Sequence, residues 1–237
     1  FTDNMLKGGV SYRHELIDED IAFTHATTKS YGGTYAKKES VPGVFLENVY
    51  TGLNRNLMVI SGVRLDYHNT YRAIVTPRVL AKYEFTPKTI VRASFGTGFR
   101  TINLFNEYSN LFSSGRDIVI GEALNPEKVV NFGVNLVQYF TIDDVHADLV
   151  VDYYKTNFIN KIIPDYNSNA SMVTFENLHG TAGSNVFQIE SNISPFKNLD
   201  IKNSYKYNSV VHTQNGITED APFIAKHKIL SNVSYAF

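Results

Sequence analysis

Six polar side chains fall in one irregular stretch of the chain: Arg100, Asn103, Glu107, Tyr108, Arg116 and Asp117. Two guanidinium groups, two carboxylates, an amide and a phenol can hold a small ligand by charge-assisted hydrogen bonds. The same groups have a plainer use: Arg100 and Glu107 can pair and fix the shape of the loop. The stretch from Thr101 to Leu124 reads as neither strand nor helix. Its roughly 25 residues exceed any ordinary hairpin connection, and long loops on a rigid sheet commonly carry function.

Other chemistry is sparse. Asp165, Asn167, Asn169 and Glu176 fit the ligand offsets of a calcium loop. Ala170 replaces the glycine such a loop requires and neither flank reads as a helix, so at most an oxygen-rich cation site on a loop is expected. The 7 histidines form no HExxH, and there is no GxSxG. Gly96 and Gly98 lie inside a strand pattern, where a GxG is not a nucleotide loop; easing of backbone packing or of a strand bend is expected there. Asp143-Asp144 falls in a short turn with no visible partner, and Asn-x-Ser strings at Asn169, Asn192 and Asn232 read as chance matches. No cofactor and no enzymatic activity are expected.

The elements that position these groups are strands. Val91, Ala93, Phe95, Thr97 and Phe99 alternate with Arg92, Ser94 and Arg100; Val130, Phe132, Val134 and Leu136 alternate with Asn131 and Asn135. Ala147, Leu149, Val151 and Tyr153 oppose His146, Asp148 and Asp152, while Val59, Val63 and Leu65 oppose Arg64 and Asp66. Period-two patterning means strands with one oily and one polar face. Starting near Met5–His14 and ending near His227–Phe237, about ten antiparallel strands and no helix are expected. Residues 15–42 read as a long loop whose ends could extend its flanking strands. MVTFENL and SNVFQIESNI read as one strand, interrupted by a bulge or bend at Gly180 and Gly183. Turns after strands two, four, six and eight are short; connections after one, five and nine are long, and those after three and seven are moderate.

Several blocks carry a family resemblance: VRASFGTGFRTINLFNEY, LNPEKVVNFGVNL, VTPRVLAKYEFTPKT, DLVVDYYKTNFINKII and KHKILSNVSYAF. In order and spacing they resemble the barrel region of TonB-dependent outer-membrane receptors of the Bacteroidetes type. The resemblance implies an antiparallel up-and-down transmembrane β-barrel segment, part of a barrel of about 22 strands. It implies uptake of a nutrient (a metal chelate, cobalamin or a glycan), with outer-membrane lipid, a plug domain, TonB and the ligand as partners. It also gives Arg100, Glu107 and the Asn125-Pro126-Glu127 corner an architectural part.

On this reading Arg64, Asp66, Arg78, Arg92, Glu127, Asn131, Asn135, His146, Asp148 and Asp152 face the lumen, and the oily rows face hydrocarbon. A closed barrel is what satisfies strand backbones in lipid, and long loops gathered at one end suit it. Tyr50, Tyr67, Phe85, Phe99, Phe140 and Phe158, near strand ends, would form aromatic girdles, though a Tyr/Phe-rich chain can mimic that. The pattern alone also fits the inner faces of a soluble carbohydrate-binding sandwich, and a complete passive porin or adhesin barrel is a further alternative.

Composition is consistent with a barrel. The 237 residues are 43% hydrophobic with 15 Tyr, 16 Phe and no cysteine, which excludes disulfides and thiolate metal sites. A net charge of −1 favours no nucleic-acid partner. With no leader ahead of Phe1 the chain reads as a piece of a longer one, and Phe237 as a cut point.

Overall fold

The computed structural model describes residues 3–23, 29–143, 145–214 and 216–237. In chain order the strands are β1 (Asp3–Ile21), β2 (Gly33–Gly52), β3 (Leu57–His68), β4 (Arg72–Thr86), β5 (Thr89–Arg100), β6 (Asp117–Ile120) and β7 (Glu127–Ile142). They continue as β8 (Val145–Asn160), β9 (Ile162–Asp165), β10 (Met172–Asn177), β11 (Gly180–Phe196), β12 (Leu199–Gln214), β13 (Ile217–Asp220) and β14 (His227–Tyr235). The sole α-helix among the described residues is the one-turn α1 (Leu104–Glu107).

Eleven strands form one sheet in the order β1-β2-β3-β4-β5-β7-β8-β11-β12, with β13 and β14 both pairing β12. All its pairings are antiparallel between chain neighbours, the up-and-down topology expected from the alternation. β1 pairs only β2 and β14 only β12, so the sheet has two open edges.

Register carries each oily row coherently from strand to strand. Leu65 stands opposite Val75, Val79 opposite Phe95, Phe95 opposite Phe132, Val134 opposite Tyr153, and Tyr153 opposite Phe187. Val59, Val63, Val130, Leu149 and Val151 lie on that same face. Among the described residues no second sheet covers it: the other sheet has three strands, β6-β10-β9. Leu65, Val75, Phe95 and Phe132 are correspondingly exposed. The soluble sandwich is thereby excluded, because its oily rows would be buried between two layers. Arg64, Asp66, Arg78, Arg92, Asn131, Asn135, Asp148 and Asp152 take the opposite face with Glu127 and His146.

Several expectations need correction. Most of the supposed loop 15–42 is strand: β1 and β2 pair without interruption from Asp3↔Thr51 to Ile21↔Gly33. Charged residues there obscure the alternation: in β2 even the covered face carries Lys37 and Glu39, which are held by ion pairs rather than by oil. Residues 24–28, within that stretch, lie outside the described residues, as do Asp144 of the turn and Asn215 of the last loop. The connection between β3 and β4 is short, from Asn69 to Tyr71.

Gly180 and Gly183 make no bulge; they sit in continuous register with β12. A side chain at Gly180 would strike the Thr213 carbonyl, so close strand approach is what requires glycine there. MVTFEN leaves the wall altogether as β10. A methyl group at Gly96 or Gly98 would meet only ordinary contacts, so packing does not demand glycine at either place. Phe158 departs from the girdle pattern, since it stands opposite Val129 and Ala182 on the polar side.

Candidate functional site

The long connections between β1 and β2, β5 and β7, β8 and β11, and β12 and β14 all leave one end of the sheet. Three of them build a small core there. Tyr31, Leu104, Phe105, Leu111, Ile118, Ile162, Val173 and Phe175 are buried together, with Phe23, Tyr108 and Leu124 packed around them. The stretch Thr101–Leu124 is therefore folded: α1, a 3-10 segment (Ser109–Ser113) and β6 follow in turn. β6 pairs parallel to β10, and β10 pairs antiparallel to β9. We call this unit the cap. Its apolar residues are too irregularly spaced for any single period, so the sequence reads as loop.

Two polar joints fasten the cap to the wall. In the first, Arg100 donates to Glu127 Oε2 from Nε at 3.0 Å and from Nη2 at 2.5 Å. Arg100 Nη1 donates to Glu107 at 2.8 Å, and Glu107 also accepts the Asn103 amide at 3.1 Å. The other oxygen of Glu127 accepts the buried Ile162 amide at 3.1 Å. In the second, the buried Asn177 donates to the Ala123 carbonyl and accepts from the Asn125 amide, both at 2.9 Å. Asn160 bonds the carbonyls of Asn125 and Pro126 beside it.

A third cluster lies beside these joints. Glu39, 2% exposed, meets Arg13 at 3.1 Å, Lys37 at 2.9 Å and His68 at 3.6 Å. His68 Nδ1 accepts the Thr70 amide at 3.1 Å, and Lys37 donates to the Ile102 carbonyl at 2.9 Å. A cleft of about 430 Å³ opens over Arg13, Lys37, Arg64, Asp66, Arg100 and Asn103. Glu39 and His68 escape sequence reading because one falls in the mistaken loop and the other has no motif partner. Asn160 and Asn177 escape it because their partners Ala123, Asn125 and Pro126 lie more than thirty residues away in the chain, between β6 and β7.

The remaining candidates disperse. Tyr108 packs edge-on against Phe175, and burial pushes its hydroxyl pKa up to about 12. Arg116 donates to the Tyr166 carbonyl at 2.9 Å, and Asp117 accepts the Ser30 amide at 3.0 Å. On the polar face Arg64 chelates Asp66 and reaches Ser11, and Gly43 leaves the space that this pair occupies. Arg92, Asn135 and Asp152 form one chain of bonds, each of 2.8 Å. Asn131 donates to Thr156 at 2.7 Å, and Asp148 accepts from Asn192 at 2.8 Å. His146 is exposed.

The calcium-like string is flanked by β9 and β10, not by helices. The Ser168 side chain, then the Ser168 and Asn167 amides, bond Asp165 and hold its pKa below the usual carboxylate value, and Asn169 caps Ser171. Among the described residues no group of three His, Asp or Glu is placed to hold a metal.

The model of the TonB dependent receptor-like β-barrel family matches residues 3–235. The chain belongs to that family. No curated protein matches the sequence. Among solved structures, the siderophore receptor PirA from Acinetobacter baumannii superposes with a TM-score of 0.70 at 14% identity, over 98% of this chain and 38% of its own. The FrpB iron transporter from Neisseria meningitidis gives 0.67 at 14% identity, over 99% and 38%. PirA from Pseudomonas aeruginosa gives 0.66 at 16% identity, over 100% and 48%. At these identities the likeness is one of fold, and the chain spans less than half of each solved receptor. This TonB-dependent receptor barrel is an outer-membrane protein.

Proposed function

We propose that the chain forms part of the wall and the extracellular rim of a receptor that imports a scarce nutrient, with an iron chelate as the leading cargo. The observation that carries this reading is the cleft between the polar wall and the cap, where Arg13, Lys37, Arg64 and Arg100 stand above the lumen. PirA and FrpB, a siderophore receptor and an iron transporter, favour a metal chelate over cobalamin or a glycan. In this reading the inward polar face borders a plug domain, a periplasmic TonB partner supplies the pull, and this chain is the fixed surround. Its fixed character follows from the joints at Glu127 and Asn177, which tie the cap to three wall strands.

The test is uptake by cells that carry the receptor, offered a labelled ferric siderophore, cobalamin or an oligosaccharide. The expected result is accumulation of the iron chelate that stops when a protonophore collapses the inner-membrane gradient. Passage of all three solutes regardless of energisation would assign a passive porin instead.

A further inference from the structure

The ion pairs on the polar face of β1–β5 share one build. Arg13 and Lys37 meet Glu39, Arg64 meets Asp66, Arg78 meets Glu47, and Arg100 meets Glu127. In each pair the carboxylate lies against the wall and the cation is the more exposed partner. The Arg64 side chain is 40% exposed against 5% for Asp66, and that of Arg78 68% against 17% for Glu47. The pairs are neutral by count, yet the surface they present is cationic. The pattern stops at Lys82–Glu84, further from the cap along β4, where the acid is the more exposed partner.

Arg64 and Arg78 are successive steps away from the cap. Arg78 stands opposite Gly62, which lies two residues along β3 from Arg64 on the same face. The cleft beside the cap contains Arg64, and a second cleft of about 300 Å³ runs from Arg64 past Gly62 to Arg78. Beyond Arg78 a hollow of about 540 Å³ opens over Ile60, Leu80, Gly96, Gly98 and Val129. Shared side chains make the three continuous, so a single trough descends the polar face from the cap.

Gly96 and Gly98 keep the hollow open. Neither takes a positive φ, and the nearest atom to an added methyl group would be at 3.7 Å for Gly96 and 3.5 Å for Gly98. β5 stays in unbroken register with β7 through both positions. Glycine weakens a strand interior, and in unbroken register its remaining use is to let another group come close to the backbone.

We propose that the trough is the transit path of an anionic chelate, a proposal that rests on the uptake reading above. Arg64 and then Arg78 hand on the charged groups of the chelate, and the hollow at Gly96 and Gly98 receives its body. Ile60, Leu80 and Val129 meet its uncharged surface. A carboxylate behind each guanidinium suits transit: a bare arginine would hold an anion too firmly, whereas passage needs several shallow sites in series.

The experiment follows surface binding and the maximal uptake rate in cells carrying the full receptor. The probes are a labelled anionic ferric tris-catecholate and an uncharged ferric trihydroxamate. The tris-catecholate is expected to enter, and R78Q should slow its entry by about fivefold, near the upper limit for an exposed charge pair, with surface binding unchanged. G98L fills the hollow without touching a charge and should slow entry likewise, while K88Q, in the turn after β4, should have no effect. Heat-dependent gel mobility checks that each variant folds. Uptake of the trihydroxamate alone, an unchanged rate in either variant, equal slowing of both probes by R78Q, or a matching loss of surface binding would overturn the path and leave iron uptake standing. Entry of a glycopeptide antibiotic through the variants at an unchanged chelate rate would also overturn it, and would make the hollow a seat for the plug. Uptake of neither chelate would instead remove the iron-chelate reading itself, and the path with it.

Discussion

Glu127 grips Arg100 through one carboxylate oxygen while its other oxygen holds the Ile162 amide. One side chain thus joins the end of β5, the start of β7 and the first residue of β9. Glu127 is 8% exposed and Arg100 56% exposed at the side chain, so water screens the pair from one side only. Glu127→Ala is expected to cost about 2 kcal/mol of local stability, set by the lost charged bonds and the orphaned amide and reduced by that screening. Hydrogen exchange at the Ile162 amide should rise accordingly. Glu127→Gln keeps an acceptor for Ile162 and should cost less; an equal loss in both would mean that the ion pair, not the amide, holds the joint.

The cap is a core in its own right. Val173 and Phe175 are 0% exposed at its centre. Phe175→Ala should destabilise the cap by about 3–5 kcal/mol, the usual range for a buried ring. Proteolysis between residues 101 and 124 should become fast. Heat-dependent mobility on a gel, which reports the wall, should stay as in the unmodified protein.

The Glu122 carboxylate accepts the Asn177 amide at 2.7 Å, and bonds from Asn177 hold its pKa below the ordinary value, with His179 adding a smaller pull. A depressed folded pKa means that this contact stabilises above the ordinary carboxylate pKa and is lost as pH falls through the depressed one. Protection of the Asn177 amide against exchange, measured relative to the intrinsic rate at each pH, should therefore hold at neutral pH and be lost only as the pH falls below the ordinary carboxylate range. In Glu122→Gln that acid step should vanish; its persistence would assign it to another group.

Side-chain parity on β7 and β12 is open to a direct comparison. Val134 faces outward in the oily band, opposite Ala93 and Tyr153. Val134→Arg should cost about 2–4 kcal/mol in denaturant unfolding from lipid vesicles. Ser204, opposite Glu190 on the inward face, should accept Arg at a cost near zero. Equal costs would contradict the inside-out assignment of the sheet.

Much of this was legible in the residues. The bounds of β3 and β5 follow from alternation alone, because each residue there has oil on one side and water or polar groups on the other. The outward row from Val59 to Tyr153 is legible for the same reason. The alternation fades in β1 and β2 beyond Tyr12, where charged residues such as Lys37 and Glu39 occupy even the covered face of β2, and those long strand ends read as loop.

By itself the sequence determined strands, faces and the family, since period-two patterning is local and survives without knowledge of neighbours. Tertiary structure decided the rest. It made residues 101–124 into a packed cap, assigned Arg100 and Glu107 to its joint, and buried Glu39 against His68. Each of these is a meeting of residues far apart in the chain, and such meetings depend on register between strands, which no single strand encodes.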